Sequence, residues 1–380
     1  MISFQPTEEE RAFVDLAKDF AEERIRPMAR ECEEKRQVSP ELVEKINELG
    51  FLALELPESW GGLEMPLISQ VQILEALSFG DLGVVQGLPG AGEAASLIRL
   101  IPEHSVLNVY REAGREGSRP TVAFLHAVDN GTPQGLKVEA EGGGYVLNGT
   151  SQPVRLAAFA DYLAVSAEDS RGEPLLLWLD KADGRWHAEE GDYRLGLLAS
   201  GCARIRFDNE RVSQNQVLAK GDEAQGMLSK ALSRIRVLEA AKEVGLMEAA
   251  LSYTTGYTAQ RKAFGQEIAK FQGVSFALAD MAIETQAARH LVWRSATKTD
   301  RGESDARDSS FSLLSRVHRS LRFVTDSAVQ LLGGHGYVQE FPVEKWMRDA
   351  QAQTVLYGRE GDLLVRCGEQ LLNERIPTEV

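Results

Sequence analysis

Cysteine is scarce, basic charge falls short of acidic, and no long apolar run is present; each shortage removes a class of protein. The chain of 380 residues has 3 cysteines, Cys32, Cys202 and Cys367, far apart and never in a C-x-x-C pair. That spacing offers neither a disulfide framework nor a zinc site, so no metal is expected. Lys plus Arg is 42 against 57 Asp plus Glu, a formal net charge of −15. A general polyanion-binding role works against such a field, and no nucleic-acid partner is expected. No stretch approaches the roughly 20 apolar residues that a bilayer requires, so no membrane association is expected either. The start, Met1-Ile2-Ser3-Phe4-Gln5-Pro6, turns acidic at once and lacks the basic and apolar regions of a signal peptide, which points to a cytoplasmic protein. What remains is a globular composition, 43% hydrophobic and 26% charged, without repeats or low-complexity linkers.

Periodicity divides the chain into three. Thr7-Glu8-Glu9-Glu10 reads as a capping box, followed by Phe13, Leu16, Ala17, Phe20, Ala21, Ile25 and Met28 at helical spacing. A second helix starts at Ser39 as N-cap with Pro40 behind it and stops at Gly50; Pro57 to Gly62 is a loop, and helical patterns follow at Leu67 to Leu77 and Ala91 to Leu100. From about Pro120 the period falls to 2. Leu136 to Glu141 alternates, Gly142-Gly143-Gly144 turns, and Tyr145 to Gly149 returns; further runs lie at Tyr162 to Ser166, Leu175 to Leu179 and Ala203 to Phe207. Beyond Asp222 the helical period resumes in three long patterns, beginning near Leu228, Phe271 and Phe311. The expectation is an α+β chain: an N-terminal helical domain over 1–119, a central antiparallel, barrel-like sheet domain over 120–218, and a C-terminal four-helix bundle over 219–380.

Two C-terminal segments carry more specific wording. Arg261-Lys262-Ala263-Phe264-Gly265 is followed by Phe271-Gln272, and Gln330-Leu331-Leu332-Gly333-Gly334-His335-Gly336-Tyr337 by Pro342-Val343-Glu344-Lys345-Trp346-Met347-Arg348-Asp349. A dinucleotide pyrophosphate needs an arginine fork or close backbone N–H groups, and paired glycines let a backbone come near. With the helix, sheet, helix order and the Pro57 to Gly62 loop, these segments resemble the acyl-CoA dehydrogenase family over most of the chain. The resemblance implies FAD as cofactor, held across a subunit interface by Arg261, Phe264, Gln272, Gln330, Gly333 and Gly334. It implies an acyl-CoA substrate whose coenzyme A pocket includes Arg236. It also implies a homotetramer, or a hetero-oligomer with a related subunit. Read without it, Arg261 is a surface charge paired with a carboxylate, Gly333-Gly334 a helix end, and Arg236 a solvated or paired helix charge.

The family removes an α-proton from an acyl thioester with a carboxylate while the β-hydrogen leaves as hydride to the flavin. Its usual base is the glutamate of a Tyr-Glu-Gly-Thr motif, where this chain reads Tyr357-Gly358-Arg359-Glu360; an ungapped match puts Gly358 at the base position. The family's alternative base position is Ile235 here. Glu360 is the nearest substitute carboxylate, although as the start of the last helical pattern it also reads as an N-terminal helix charge. The family's Thr-Glu-Pro loop is replaced by Ala123 to Gly131. Its Trp-x-Thr segment, whose Trp covers the flavin and whose Thr can hydrogen-bond to it, is replaced by Pro153-Val154-Arg155. The five tryptophans, Trp60, Trp178, Trp186, Trp293 and Trp346, read as packing residues. Three functional readings follow: FAD-dependent α,β-desaturation of an acyl-CoA; a catalytically degenerate subunit of a hetero-oligomer; and a flavin-dependent monooxygenase on the same fold.

Overall fold

The computed structural model describes residues 8–129, 132–133, 135–189 and 194–375; Thr7 of the expected capping box and Asn130-Gly131 of the altered loop lie outside them. The chain opens with α1 (Glu8–Phe20), which runs through a π-helical turn (Ala21–Ile25) into α2 (Arg26–Lys35). α3 (Pro40–Glu48) starts as its sequence dictates, with Ser39 Oγ accepting from Leu42 N at 3.3 Å, and ends before Gly50 at φ +80°. α4 (Leu67–Gly80), α5 (Leu82–Gln86), α6 (Ala94–Ile98) and α7 (Asn108–Arg115) complete the first set of helices.

Among the described residues ten strands follow: β1 (Val122–His126), β2 (Val128–Asp129), β3 (Thr132–Pro133), β4 (Lys137–Glu141), β5 (Gly144–Thr150), β6 (Tyr162–Glu168), β7 (Pro174–Asp180), β8 (His187–Glu189), β9 (Arg204–Val212) and β10 (Val217–Lys220). The expected hairpin is β4–β5, closed by Glu141 opposite Gly144. The barrel-like, wholly antiparallel expectation needs correction. The strands form two four-stranded sheets, β1-β6-β7-β10 and β4-β5-β9-β8, and β1 runs parallel to β6. A parallel pair needs a long connection, and the chain makes it by building β4 and β5 of the other sheet between β1 and β6. Leu125, Leu163 and Leu177 from the first sheet share a core with Val138, Leu147 and Phe207 from the second.

α8 (Gly221–Gln260) then runs for 40 residues, and a small hairpin of β11 (Lys262–Ala263) and β12 (Gln266–Glu267) leads into α9 (Gln272–Asp300), α10 (Ala306–Leu332), α11 (Val343–Leu356) and α12 (Glu360–Arg375). The largest core lies between α8 and α10, where Val237, Ala241 and Val244 meet Leu314, Val317 and Leu321, and Leu67 and Val71 of α4 join it. α4 approaches α8 closely because Gly245 has no side chain: a Cβ there would stand 2.3 Å from the carbonyl oxygen of Glu75. Trp60, Trp178, Trp186 and Trp346 are buried as packing residues, while Trp293 is half-buried. Cys32, Cys202 and Cys367 are free, and among the described residues no cluster of metal-ligating side chains occurs. No helix there is long and apolar enough to cross a membrane.

Candidate active site

Where the three parts of the chain meet, the interior is polar. Gln86 and Glu93 come from the first helices, Arg155 from the segment after β5, and Glu239, Lys242 and Glu243 from α8. His318 comes from α10, Gln353 from α11 and Tyr357 from the residue that ends it; the first eight are buried and Tyr357 nearly so. Glu239, Lys242 and Glu243 stand three and four residues apart, so one face of α8 carries all three. Gln86 Nε2 donates to Glu239 and to Gln353 Oε1, its Oε1 accepts from Lys242 Nζ at 3.2 Å, and Lys242 pairs with Glu239. Glu243 Oε2 meets His318 Nδ1 at 2.9 Å.

Arg155 links this cluster to the sheets. Its Nε and Nη2 donate to the two oxygens of Glu93 at 2.8 and 2.7 Å, and its Nη1 to the carbonyl oxygen of Gln86 at 2.9 Å. Gly92 makes room for it: φ is +49°, and a Cβ would lie 2.5 Å from Arg155 Nη2. Tyr357 donates its hydroxyl hydrogen to Glu93 Oε1. A second ion cluster fixes the frame. Lys345 Nζ binds both oxygens of Asp81, at 2.8 and 2.7 Å, and Asp349 Oδ2 at 2.6 Å, while Asp81 caps α5 through Val84 N and Asp349 accepts from Leu197 N. That clamp holds α5, and so Gln86, against α11.

Burial pushes the Glu93 carboxyl up, but the charge and hydrogen bonds of Arg155 override it and hold it down to about 2. Burial weakens Arg155 as a cation and Glu93 more than compensates, so it stays charged. Burial, then the carboxylates of Glu239 and Glu93, raise the Tyr357 phenol well above its ordinary range. Burial also raises Glu243, against the pull of His318. The junction therefore keeps a charged Arg–Glu pair beside a phenol that holds its proton.

The residues singled out in the sequence fall into three places. Arg236 is half-buried on α8, with Nη1 3.3 Å from Ser310 Oγ and the guanidinium 4.0 Å above the ring of Phe311. His126 lies near it, and burial together with the charge of Arg236 holds its imidazole down to about 4. Ile235, beside Arg236, is buried. Glu360 opens α12 and pairs with Arg322 of α10, so its carboxylate is turned toward that helix. Gly358 sits at φ +115°.

The remaining candidates gather at one end of the bundle. Tyr257 OH bonds His335 Nδ1 at 2.8 Å, tying the last turn of α8 to the turn at Gly333–Tyr337, and His335 stacks on Phe341 at 4.5 Å. Arg261 follows one helical turn after Tyr257. Arg261, Gln272, Gln330, Gly333 and Gly334 are exposed, and a Cβ at Gly333 or Gly334 would meet nothing within 4 Å. Among the described residues the Arg261 guanidinium has no hydrogen bond or ion pair. Phe264 stands 97% exposed at the tip of the β11–β12 hairpin, with φ +52°. An unpaired arginine, amides and bare glycine backbone in one exposed patch suit the phosphates of a dinucleotide.

Comparison with known proteins gives the family. The family models for the N-terminal and C-terminal domains of acyl-CoA dehydrogenase match residues 7–100 and 225–371, together more than half of the chain. The chain belongs to the acyl-CoA dehydrogenase family. It is 27% identical to the 3-(aryl)acrylate reductase of Clostridium sporogenes, over 93% of this chain and 95% of that one. It is 26% identical to a short-chain-specific acyl-CoA dehydrogenase of Clostridium acetobutylicum, over 94% and 96%. Among solved structures, butyryl-CoA dehydrogenase from Megasphaera elsdenii superposes with a TM-score of 0.88 at 26% identity, covering 98% of this chain and all of that one.

Sequence reading missed the junction. Each of its members alone looks like a solvent-facing polar residue, and only Arg155, in place of the expected Thr, and Glu239-x-x-Lys242-Glu243 on a helix buried on every side gave a signal.

Proposed function

We propose that this chain is an FAD-dependent flavoenzyme that moves two hydrogens between an acyl-CoA thioester and its 2-enoyl counterpart. The observation that carries the reading is that Arg261, Gln272, Gln330, Gly333 and Gly334 are all exposed on a chain of this family, with the Tyr257–His335 bond tying the end of α8 to the glycine turn. These residues would hold the dinucleotide, with Arg261 on the phosphates and the glycine backbone beside them. Bound there, FAD supplies the hydride exchange. The protein must then orient the thioester, exclude water and hold or release a proton at its α-carbon. Arg236, a half-buried cation, suits a coenzyme A phosphate, and half-buried Pro153 with buried Val154 and Arg155 stands in place of the family's Trp-x-Thr wall.

Relatives that cover nearly the whole chain and carry enzyme names support a catalytic protein over a degenerate subunit, and no observation favours a monooxygenase. We take the three units to be 1–119, 120–218 and 219–380, and the protein to be cytoplasmic, with its free cysteines in support. A homotetramer or a hetero-oligomer accounts for exposed Phe264 and Tyr337 and for Phe276 and Ile283, seven residues apart on one face of α9. The visible spectrum after loading with FAD and removal of the unbound fraction tests the reading. A retained flavin band is expected, with Arg261→Ala lowering FAD affinity roughly tenfold or more. A wild type that keeps no flavin would overturn it.

A further inference from the structure

The two faces of α12 are unlike. Leu363 is buried in the bundle core, and Cys367 and Gln370, one and two turns further on, are half-buried. This face lies on α10, where Glu360 also pairs with Arg322. The other face is apolar and open. Leu364, Val365, Leu371 and Leu372 are 53%, 61%, 54% and 62% exposed, and Gly368 lies among them with nothing within 4 Å of where its Cβ would stand. At about 100° per residue the five positions fall in an arc of roughly 120°, with Gly368 at its middle. They form a patch of a few hundred Å², comparable with the largest apolar patch on a typical monomer.

The order of these residues points to what covers them. Counted from Gly368, apolar residues stand four and three positions before it and three and four positions after it. An antiparallel copy of the helix crossing at Gly368 sets Leu364 opposite the partner's Leu372 and Val365 opposite the partner's Leu371, and the same pairs recur on the other side of the axis. Glycine meets glycine at the centre, where the backbones come closest. A contact on a two-fold axis requires that one residue meet a second while the second meets the first, and this spacing fulfils that condition. An unrelated partner places no such condition on the sequence. The charges agree: Arg366 and Glu369, beside the stripe, pair with each other at 3.2 Å, so two copies meet without an unbalanced charge at the crossing.

We propose, resting on the oligomer reading above, that α12 pairs antiparallel with α12 of a second copy of this chain about a two-fold axis at Gly368. The contact is separate from the surface of Phe264 and α9. Four partly exposed side chains from each copy cover less than the roughly 1,200 Å² of a lasting interface, so α12 joins copies already held through that other surface.

The test is sedimentation of the full-length protein at micromolar concentration, which needs neither substrate nor flavin. Wild type should run as an oligomer. Leu371→Glu should halve its mass, weakening the contact roughly 100-fold or more by setting a carboxylate against the partner's Val365 on both sides of the axis, and Val365→Lys should do the same. Both positions are exposed, and unchanged circular dichroism shows that each variant keeps its fold. Val365→Lys/Leu371→Glu should regain the wild-type mass, because antiparallel pairing sets each lysine against a glutamate of the other copy; a parallel pairing, or a different protein on this face, gives no recovery. In Cys367→Ser/Gly368→Cys an intermolecular disulfide should form on mild oxidation, since a close crossing at this position brings the two thiols within reach, whereas Cys367→Ser alone should not crosslink. An oligomer whose mass Leu371→Glu leaves unchanged, a double variant that fails to regain it, or no crosslink at position 368 overturns the α12 pairing alone. A monomeric wild type overturns it together with the oligomer reading.

Discussion

Replacing Arg155 with Met removes the cation from Glu93 and leaves the carboxyl buried with only Tyr357 to hydrogen-bond it. In the wild type the fall of Glu93 from its ordinary 4.5 to about 2 corresponds to about 3 kcal/mol of stability. Because the folded value is depressed, that contribution is fully present above pH 4.5 and is lost only as pH falls through about 2. In Arg155→Met the sign should reverse: burial, the largest influence, is then opposed only by the charge of Lys242 and the Tyr357 hydrogen bond, and the folded carboxyl moves upward. At pH 7 the variant then carries either an unpaired buried charge or a proton taken up at unfavourable pH, and should lose about 3–5 kcal/mol. Between pH 7 and 5 the proton becomes easier to bind, by at most about 1.4 kcal/mol per pH unit, while the wild-type pair does not titrate. The gap between the two proteins should therefore narrow by up to about 3 kcal/mol. Urea unfolding followed by tryptophan fluorescence at both pH values measures it, and Arg155→Met/Glu93→Gln should recover most of the loss. A gap under about 1 kcal/mol at pH 7, or one that stays constant on acidification, would refute the reasoning.

Lys345→Met should cost about 3–5 kcal/mol in the same assay, because Asp81 and Asp349 are both left buried without their cation. Gly245→Ala should lose about 1–3 kcal/mol by driving α8 away from the backbone of α4. Gly226→Ala, exposed in the same helix with open space around it, should gain about 0.4–1 kcal/mol; equal effects at the two glycines would contradict the packing described. His126 titrates at about 4 when folded against an ordinary 6.5, so its contribution is present above pH 6.5 and is lost as pH falls toward 4. The thermal midpoint of His126→Asn should consequently decline less steeply across that window than the wild type's.

The helices were legible because their signals are local. Ser39, Pro40 and Gly50 fix α3 within a few residues, and the turn at Gly142-Gly143 fixes the β4–β5 hairpin. The parallel pairing of β1 with β6 was not legible, since register between strands 40 residues apart is decided by the core they share, not by either strand's own pattern. The proposed cofactor residues were readable as wording, in Arg261 and Gly333-Gly334, and the structure adds the Tyr257–His335 tie between the end of α8 and the turn that carries the glycines. The junction was hidden for a different reason. Its members lie between positions 86 and 357, and a charge on a helix is read as facing water unless all sides of that helix are known to be covered, as they are along the middle of α8.

The same junction constrains how this sequence can drift. Gln86, Arg155, Glu239, Lys242 and Gln353 each bond two or more of the set, and Glu93 bonds Arg155 and Tyr357, so an apolar replacement at any one strands a charge or an amide in the interior. Intermediate sequences on the way to a greasy pocket are therefore less stable than either end point. A lineage that has acquired this lattice is held in it by its own neighbours, and an engineer who wants a hydrocarbon-lined site here must exchange the set together rather than one position at a time.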